Sequence, residues 1–215
     1  MAVYSAEEIR NIAYLAERYR VTLIVDQLYS RLLYGDQKYH HLRGESIDPE
    51  LIVTVMGPSK TESLSGFRLG VAFGATGIID RMEKLQAIVS LRAAGYNQAV
   101  LRTWFSEPQG WMKKRIALHE AIRNCVVQRL SAVDGLVVRT PQAGSYVFPQ
   151  LPKLAVSAQE FVHILRIQAD VIVASGSQFG TASHGSIRLN YSQDYEATLA
   201  AVNRIVEMIE RYKND

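Results

Sequence analysis

The chain has 215 residues, 48% hydrophobic and 21% charged, which excludes a disordered polymer and leaves room for one large domain or two small ones. Its formal charge is only +3, and its densest basic run, Lys113-Lys114-Arg115, falls in a predicted helix beside Glu120, so a solvated face is expected and no nucleic-acid partner. The lone Cys125 excludes a disulfide framework. No apolar run approaches the roughly 18 residues of a membrane span, and no signal peptide opens the chain, so the expectation is a cytoplasmic protein with no membrane partner.

In chain order, Ser5 precedes Ala6-Glu7-Glu8 and caps a predicted helix to Arg20, with Glu8 in the capping-box position. The run Val21 to Val25 is apolar and mostly β-branched, the pattern of a strand buried on both faces. It ends in Asp26, at the end of a strand where open α/β sheets bind ligands. Tyr29 follows three residues later. Asp26 is either a site carboxylate or a cap, and Tyr29 either a site phenol or a packed aromatic. Residues 34–49 read as an irregular loop, in which His40-His41 lacks the neighbouring carboxylates that a metal site would want. Leu51 to Met56 and Leu69 to Phe73 are two further predicted strands. Continuous apolar runs between helices imply a mixed sheet covered by helices.

Between those strands lies Gly57-Pro-Ser-Lys-Thr-Glu-Ser-Leu-Ser-Gly-Phe-Arg-Leu-Gly70. A lysine amine at a strand end can form a Schiff base with a carbonyl where its surroundings favour the neutral form. Ser59, Thr61, Ser63 and Ser65 can hydrogen-bond a phosphate, and Arg68 can grip one with its fork. By composition alone the stretch could equally be a polar surface loop with one solvated lysine.

The ordered set Asp26-x-x-Tyr29, Ser59-Lys60 and Gly66-x-Arg68-x-Gly70 resembles the pyridoxal-phosphate-dependent aminotransferases of class I/II, the aspartate-aminotransferase-like branch of fold type I. The resemblance implies pyridoxal 5'-phosphate as cofactor. It makes Lys60 the lysine that holds the cofactor and shuttles a proton, and Asp26 the carboxylate that keeps its ring nitrogen protonated. Tyr29 becomes the phenol on its 3-oxygen, and Ser59 and Arg68 become phosphate ligands. Many members carry a serine at the position of Gly57; glycine leaves only backbone there.

Further along, residues 77–91 read as a helix with Ile78, Ile79, Met82, Leu85 and Ile88 on one side, and residues 97–130 as helical with a break near Pro108-Gln109-Gly110. Residues 136–139, 145–148 and 171–175 read as short strands, with a helix over 158–169 capped by Ser157. Gly144-Ser-Tyr-Val-Phe148 and Gly176-Ser-Gln-Phe-Gly180 also resemble family segments. Arg188, in an apolar strand context, is either a structural salt-bridge partner or, by the resemblance, the arginine that clamps the substrate α-carboxylate. A helix over 194–212 closes the chain.

The expected fold class is therefore α/β. Residues 1–96 would form the C-terminal part of the fold type I large domain, and 97–215 an interdomain helix with an α+β small domain. Family members are nearly twice this length, so the chain looks like a C-terminal half whose apolar edges want a partner: a second copy or the N-terminal half of the same enzyme. The implied substrates are an α-amino acid and a 2-oxo acid. The alternatives are a catalytically incompetent assembly module, or a lyase or decarboxylase on the same scaffold.

Overall fold

A computed structural model describes residues 2–214. Two compact units divide the chain between Met112 and Lys113, later than the 96/97 boundary read from the sequence. Residues 97–112 stay with the first unit because polar contacts tie them there. Asn97 Nδ2 donates to the Phe67 carbonyl (3.2 Å), and Trp104 Nε1 to Glu62 (3.3 Å).

The first unit opens with helix α1 (Ala6–Tyr19). The Ser5 hydroxyl accepts from the Glu8 amide (3.2 Å), while the Glu8 carboxylate accepts from the Ser5 amide (2.7 Å). That reciprocal pair satisfies two amides that a helix start otherwise leaves open. Arg20 ends the helix in left-handed backbone. Strand β1 (Leu23–Asp26) then pairs parallel with β2 (Ile52–Met56), and β2 pairs antiparallel with β3 (Val71–Gly74), giving the order β1-β2-β3. α1 covers one face of this sheet: Ala13, Leu42 and Ile52 are buried together, with Ile9, Ile12, Leu23 and Val25 packed around them.

The other face contradicts the expectation of a strand buried on both sides. Ile24 is 75% exposed and Asp26 is exposed as well, because no described residue of the first unit covers that side of β1. Helix α2 (Thr76–Val89) has the expected apolar spacing, yet none of its residues is fully buried, and Leu85, Ile88 and Val89 are exposed. A short helix, α3 (Gly95–Gln98), and a 3-10 turn at Ala99–Arg102 stand where the stretch before the Pro108-Gln109-Gly110 break was expected to be helical.

The unit from residue 113 onward takes nearly all of helix α4 (Trp111–Ser131), which opens immediately after the Pro108-Gln109-Gly110 break. Helices α5 (Ala158–Gln168) and α6 (Tyr195–Tyr212) accompany a small antiparallel sheet of β4 (Tyr146–Val147), β5 (Ala174–Ser175) and β6 (Ile187–Asn190), in the order β4-β6-β5. Ser157 and Glu160 repeat the capping box. Residues 136–139, expected to be a strand, contribute only a bridge from Val137 to Gln150, and the 171–175 strand shortens to its last two residues.

Candidate active site

Parallel pairing of β1 and β2 sets Asp26 opposite Val55, so both strands deliver their carboxyl ends to one rim of the sheet. Lys60 follows β2 within a few residues, and Arg68 precedes β3, which returns beside Met56. The loop between them is tightly folded. The Leu64 amide donates to the Pro58 carbonyl (3.1 Å) and the Ser63 amide to the Lys60 carbonyl (3.3 Å), with Ser63 in left-handed backbone. The Ser59 hydroxyl reaches the Leu69 carbonyl (3.4 Å) across the hairpin.

Gly57 sits where β2 and the Leu69-Gly70 segment close on each other. A Cβ there would stand 2.9 Å from the Leu69 carbonyl oxygen and 3.1 Å from Gly70 Cα. The glycine is thus fixed by a close approach of backbone, which a side chain would push apart.

The sequence-predicted residues of the first unit take these positions. The half-buried Lys60 amine lies 5.8 Å from the centroid of the Tyr29 ring. Asp26 Oδ1 accepts from the Leu28 amide (3.1 Å), which turns the chain toward Tyr29. Burial first, and the Asp26 charge second, push the Tyr39 phenol above its ordinary range, which places Tyr39 in the field of that carboxylate. Arg68, in left-handed backbone, donates from Nη1 to the Ser65 carbonyl (2.9 Å), which ties its guanidinium to its own loop. Asp26, Tyr29, Ser59, Lys60 and Arg68 therefore gather at one end of one small sheet.

Arg188 belongs to the other unit, on β6. Its guanidinium carbon lies 4.5 Å from the Tyr146 centroid and 4.4 Å from the Phe179 centroid. Phe148 meets Phe179 edge-on at 5.6 Å. Among the described residues no carboxylate is paired with Arg188, so the salt-bridge alternative finds no partner there. Two rings thus pack against a guanidinium whose forked N–H donors suit a planar acceptor. The loop that carries Phe179 is pinned at Gly176, whose amide donates to the Ser186 carbonyl (2.7 Å) and where a Cβ would stand 2.0 Å from the Ser183 oxygen.

The chain belongs to the class I and II aminotransferases. The model of that family, Aminotransferase class I and II, matches residues 2–205. An aspartate aminotransferase from Pyrococcus horikoshii is 30% identical over 99% of this chain and 54% of its own length. The crystal structure of an aspartate aminotransferase from Rhodobacter sphaeroides superposes with a TM-score of 0.96 at 62% identity, covering 99% of this chain and 54% of that one. The aspartate aminotransferase from Rhizobium meliloti gives 0.85 at 27% identity, covering 99% of this chain and 56% of that one. The fold is thus the α/β fold type I of these enzymes, and the chain spans about half the length of the relatives it matches.

Against that family frame, one cluster near the lysine was not visible in sequence. Arg31 pairs with Glu62 and, through both terminal nitrogens, with Glu107 (2.7 and 3.1 Å). The Phe105 ring lies 4.4 Å from the same guanidinium. Burial pushes the Glu62 carboxyl above the usual range, against the pull of Arg31, whereas the hydrogen bond from Arg31 holds Glu107 below it. Glu62 stood inside the stretch already singled out, but Arg31 and Glu107 are 76 residues apart and no local pattern joins them.

Proposed function

We propose that this chain carries the lysine-bearing part of a pyridoxal-phosphate-dependent transaminase, acting on an α-amino acid and a 2-oxo acid. The observation that carries the reading is the Lys60 amine beside the Tyr29 ring, on the rim that also holds Asp26, Ser59 and Arg68. That donor set suits pyridoxal 5'-phosphate: an amine for its carbonyl, a carboxylate for its ring nitrogen, a phenol for its 3-oxygen, and a hydroxyl with a guanidinium for its phosphate. When bound, the cofactor supplies a sink for the electron pair left as a bond to the substrate α-carbon breaks.

The chain's own residues would do the rest. Lys60 Nζ would hold the cofactor by its carbonyl carbon, the carbonyl oxygen leaving as water, and once displaced there by the substrate's amine it would carry a proton to and from the substrate α-carbon. Asp26 holds a proton on the ring nitrogen by its charge. Tyr29 donates to the 3-oxygen and stands beside Lys60. Ser59 and Arg68 would hold the phosphate and so help to orient the cofactor toward the amine. By likeness to the family, Arg188 would be the residue for the substrate α-carboxylate, which its forked guanidinium suits.

A second reading has its own support: with Asp26 and Ile24 exposed, the chain would work only as an assembly piece with another polypeptide over that face, either a second copy or an N-terminal half. One experiment separates the two. Pyridoxal phosphate is added to the purified chain, borohydride is used to fix any adduct, and the Lys60 peptide is weighed. The transaminase reading expects a visible absorbance and a cofactor-sized mass gain, both absent in Lys60→Ala. No adduct in the chain alone, but an adduct once an N-terminal half is supplied, would favour the assembly reading.

A further inference from the structure

Two tight turns face each other at the rim. The first is closed by the Leu32 amide donating to the Tyr29 carbonyl (3.0 Å), the second by the Ser63 amide donating to the Lys60 carbonyl (3.3 Å). The first residues of the two turns are Tyr29 and Lys60, which meet at 5.8 Å. The third residues are Arg31 and Glu62, which form the ion pair. The same step along each turn therefore yields two rungs, one an amine on a ring and one a guanidinium on a carboxylate.

The second rung is the better anchored. The Glu62 side chain is only 6% exposed, and it also accepts from Trp104 Nε1 (3.3 Å). Arg31 is held from a further side by Glu107 and faces the Phe105 ring. A charge-assisted pair in a desolvated setting fixes geometry more firmly than an exposed one. Lys60, by contrast, has a long side chain with many rotamers to lose, and its contact with the Tyr29 ring holds it only weakly.

We propose that Glu62, through its ion pair with Arg31, is a positioning residue that locks the two turns in register and so holds the Lys60 amine over Tyr29. The proposal rests on the reading of Lys60 as the cofactor lysine for its purpose, but not for its test. Glu107 serves here as the outer anchor of Arg31, not as a link between the turns.

The test reads where Lys60 sits, with no cofactor present. In the 215-residue chain labelled with 13C-lysine, the Lys60 ε-methylene resonance is assigned by comparison with Lys60→Ala. The Tyr29 ring is expected to displace it upfield, and Tyr29→Leu to remove the displacement. Glu62→Gln keeps the shape and the acceptor for Trp104 while removing the charge, and it is expected to abolish the displacement. Arg31→Gln should do the same, and Arg31→Lys, which keeps the charge but loses the fork, should reduce it. Glu107→Gln should leave it in place.

A merely structural cluster would lower the melting temperature in all of these variants and leave the resonance where it was. That result, or a loss in Glu107→Gln as large as in Glu62→Gln, would overturn the proposal. Should Arg31→Gln not fold, Glu62→Gln and Arg31→Lys still decide it. A lysine found over Tyr29 that takes up no pyridoxal phosphate would instead count against the functional reading and leave this one standing.

Discussion

From residue 113 onward the molecule encloses a core of its own. Leu130, Phe161, Leu165, Ile187, Ile205 and Ile209 are covered almost completely by three helices and a small sheet. Residues 2–112 bury one face of their sheet under α1 and leave Ile24, Leu85, Ile88 and Val89 in the open. Both regions carry apolar residues at the spacing of their elements. What separates them is whether the chain supplies a second layer. An amphipathic pattern states that a face is made to be covered; it does not say by what.

The comparison can be broken by mutating one core against one open face. Leu165→Ala removes a fully buried side chain and is expected to cost about 2–5 kcal/mol in denaturant unfolding. Ile24→Ala, at an exposed position, should stay within about 0.5 kcal/mol. An Ile24→Ala cost as large as that of Leu165→Ala would mean that the open face is covered in solution.

A smaller effect sharpens the same contrast. Each unit opens a helix with one capping box, at Ser5 and at Ser157, and removing either hydroxyl should cost about 1 kcal/mol. Trp104 lies in residues 2–112, where it donates to Glu62, so with Trp111, the first residue of α4, replaced by phenylalanine its fluorescence reports that unit. Ser5→Ala should lower the tryptophan-detected transition, whereas Ser157→Ala should lower only the transition seen by far-ultraviolet circular dichroism. Equal shifts in both signals would show that the units unfold as one.

The smallest expected effect is a pH dependence confined to the second unit. His119 is buried on α4, with Nδ1 at the Arg115 carbonyl (2.9 Å) and Nε2 at the Ser192 hydroxyl (2.8 Å). Burial pulls its pKa below the ordinary 6.5. The folded state therefore binds a proton less readily than the unfolded one. This contribution to stability is fully present above 6.5 and is lost as pH falls through the lower folded value. Melting temperatures from neutral to acidic pH should fall less steeply in His119→Gln than in the parent. An unchanged slope would remove His119 from the account.

Much of the candidate site was legible because its chemistry is local. Asp26, Tyr29, Ser59, Lys60 and Arg68 lie in two short stretches, and it was the resemblance of their order to a family pattern that suggested a common ligand. The Arg31–Glu62–Glu107 cluster was not legible, because its members come from three separated segments and each reads alone as an ordinary surface charge. Arg188 was visible as an arginine in an apolar strand, but its neighbours were not. Tyr146 stands on β4, and Phe179 on a loop bent back over Gly176.

The sequence by itself determined the longer helices, their serine caps and the three strands of the first unit, since hydrogen-bonding serines, periodic apolar residues and β-branched runs act within a few residues of one another. It also determined the membership of the chain in a family of aminotransferases. Only the tertiary structure decided which strand faces stay open, where the chain divides, and which distant charges meet beside the lysine. Those outcomes depend on contacts between segments far apart in the chain, and no local spacing encodes them.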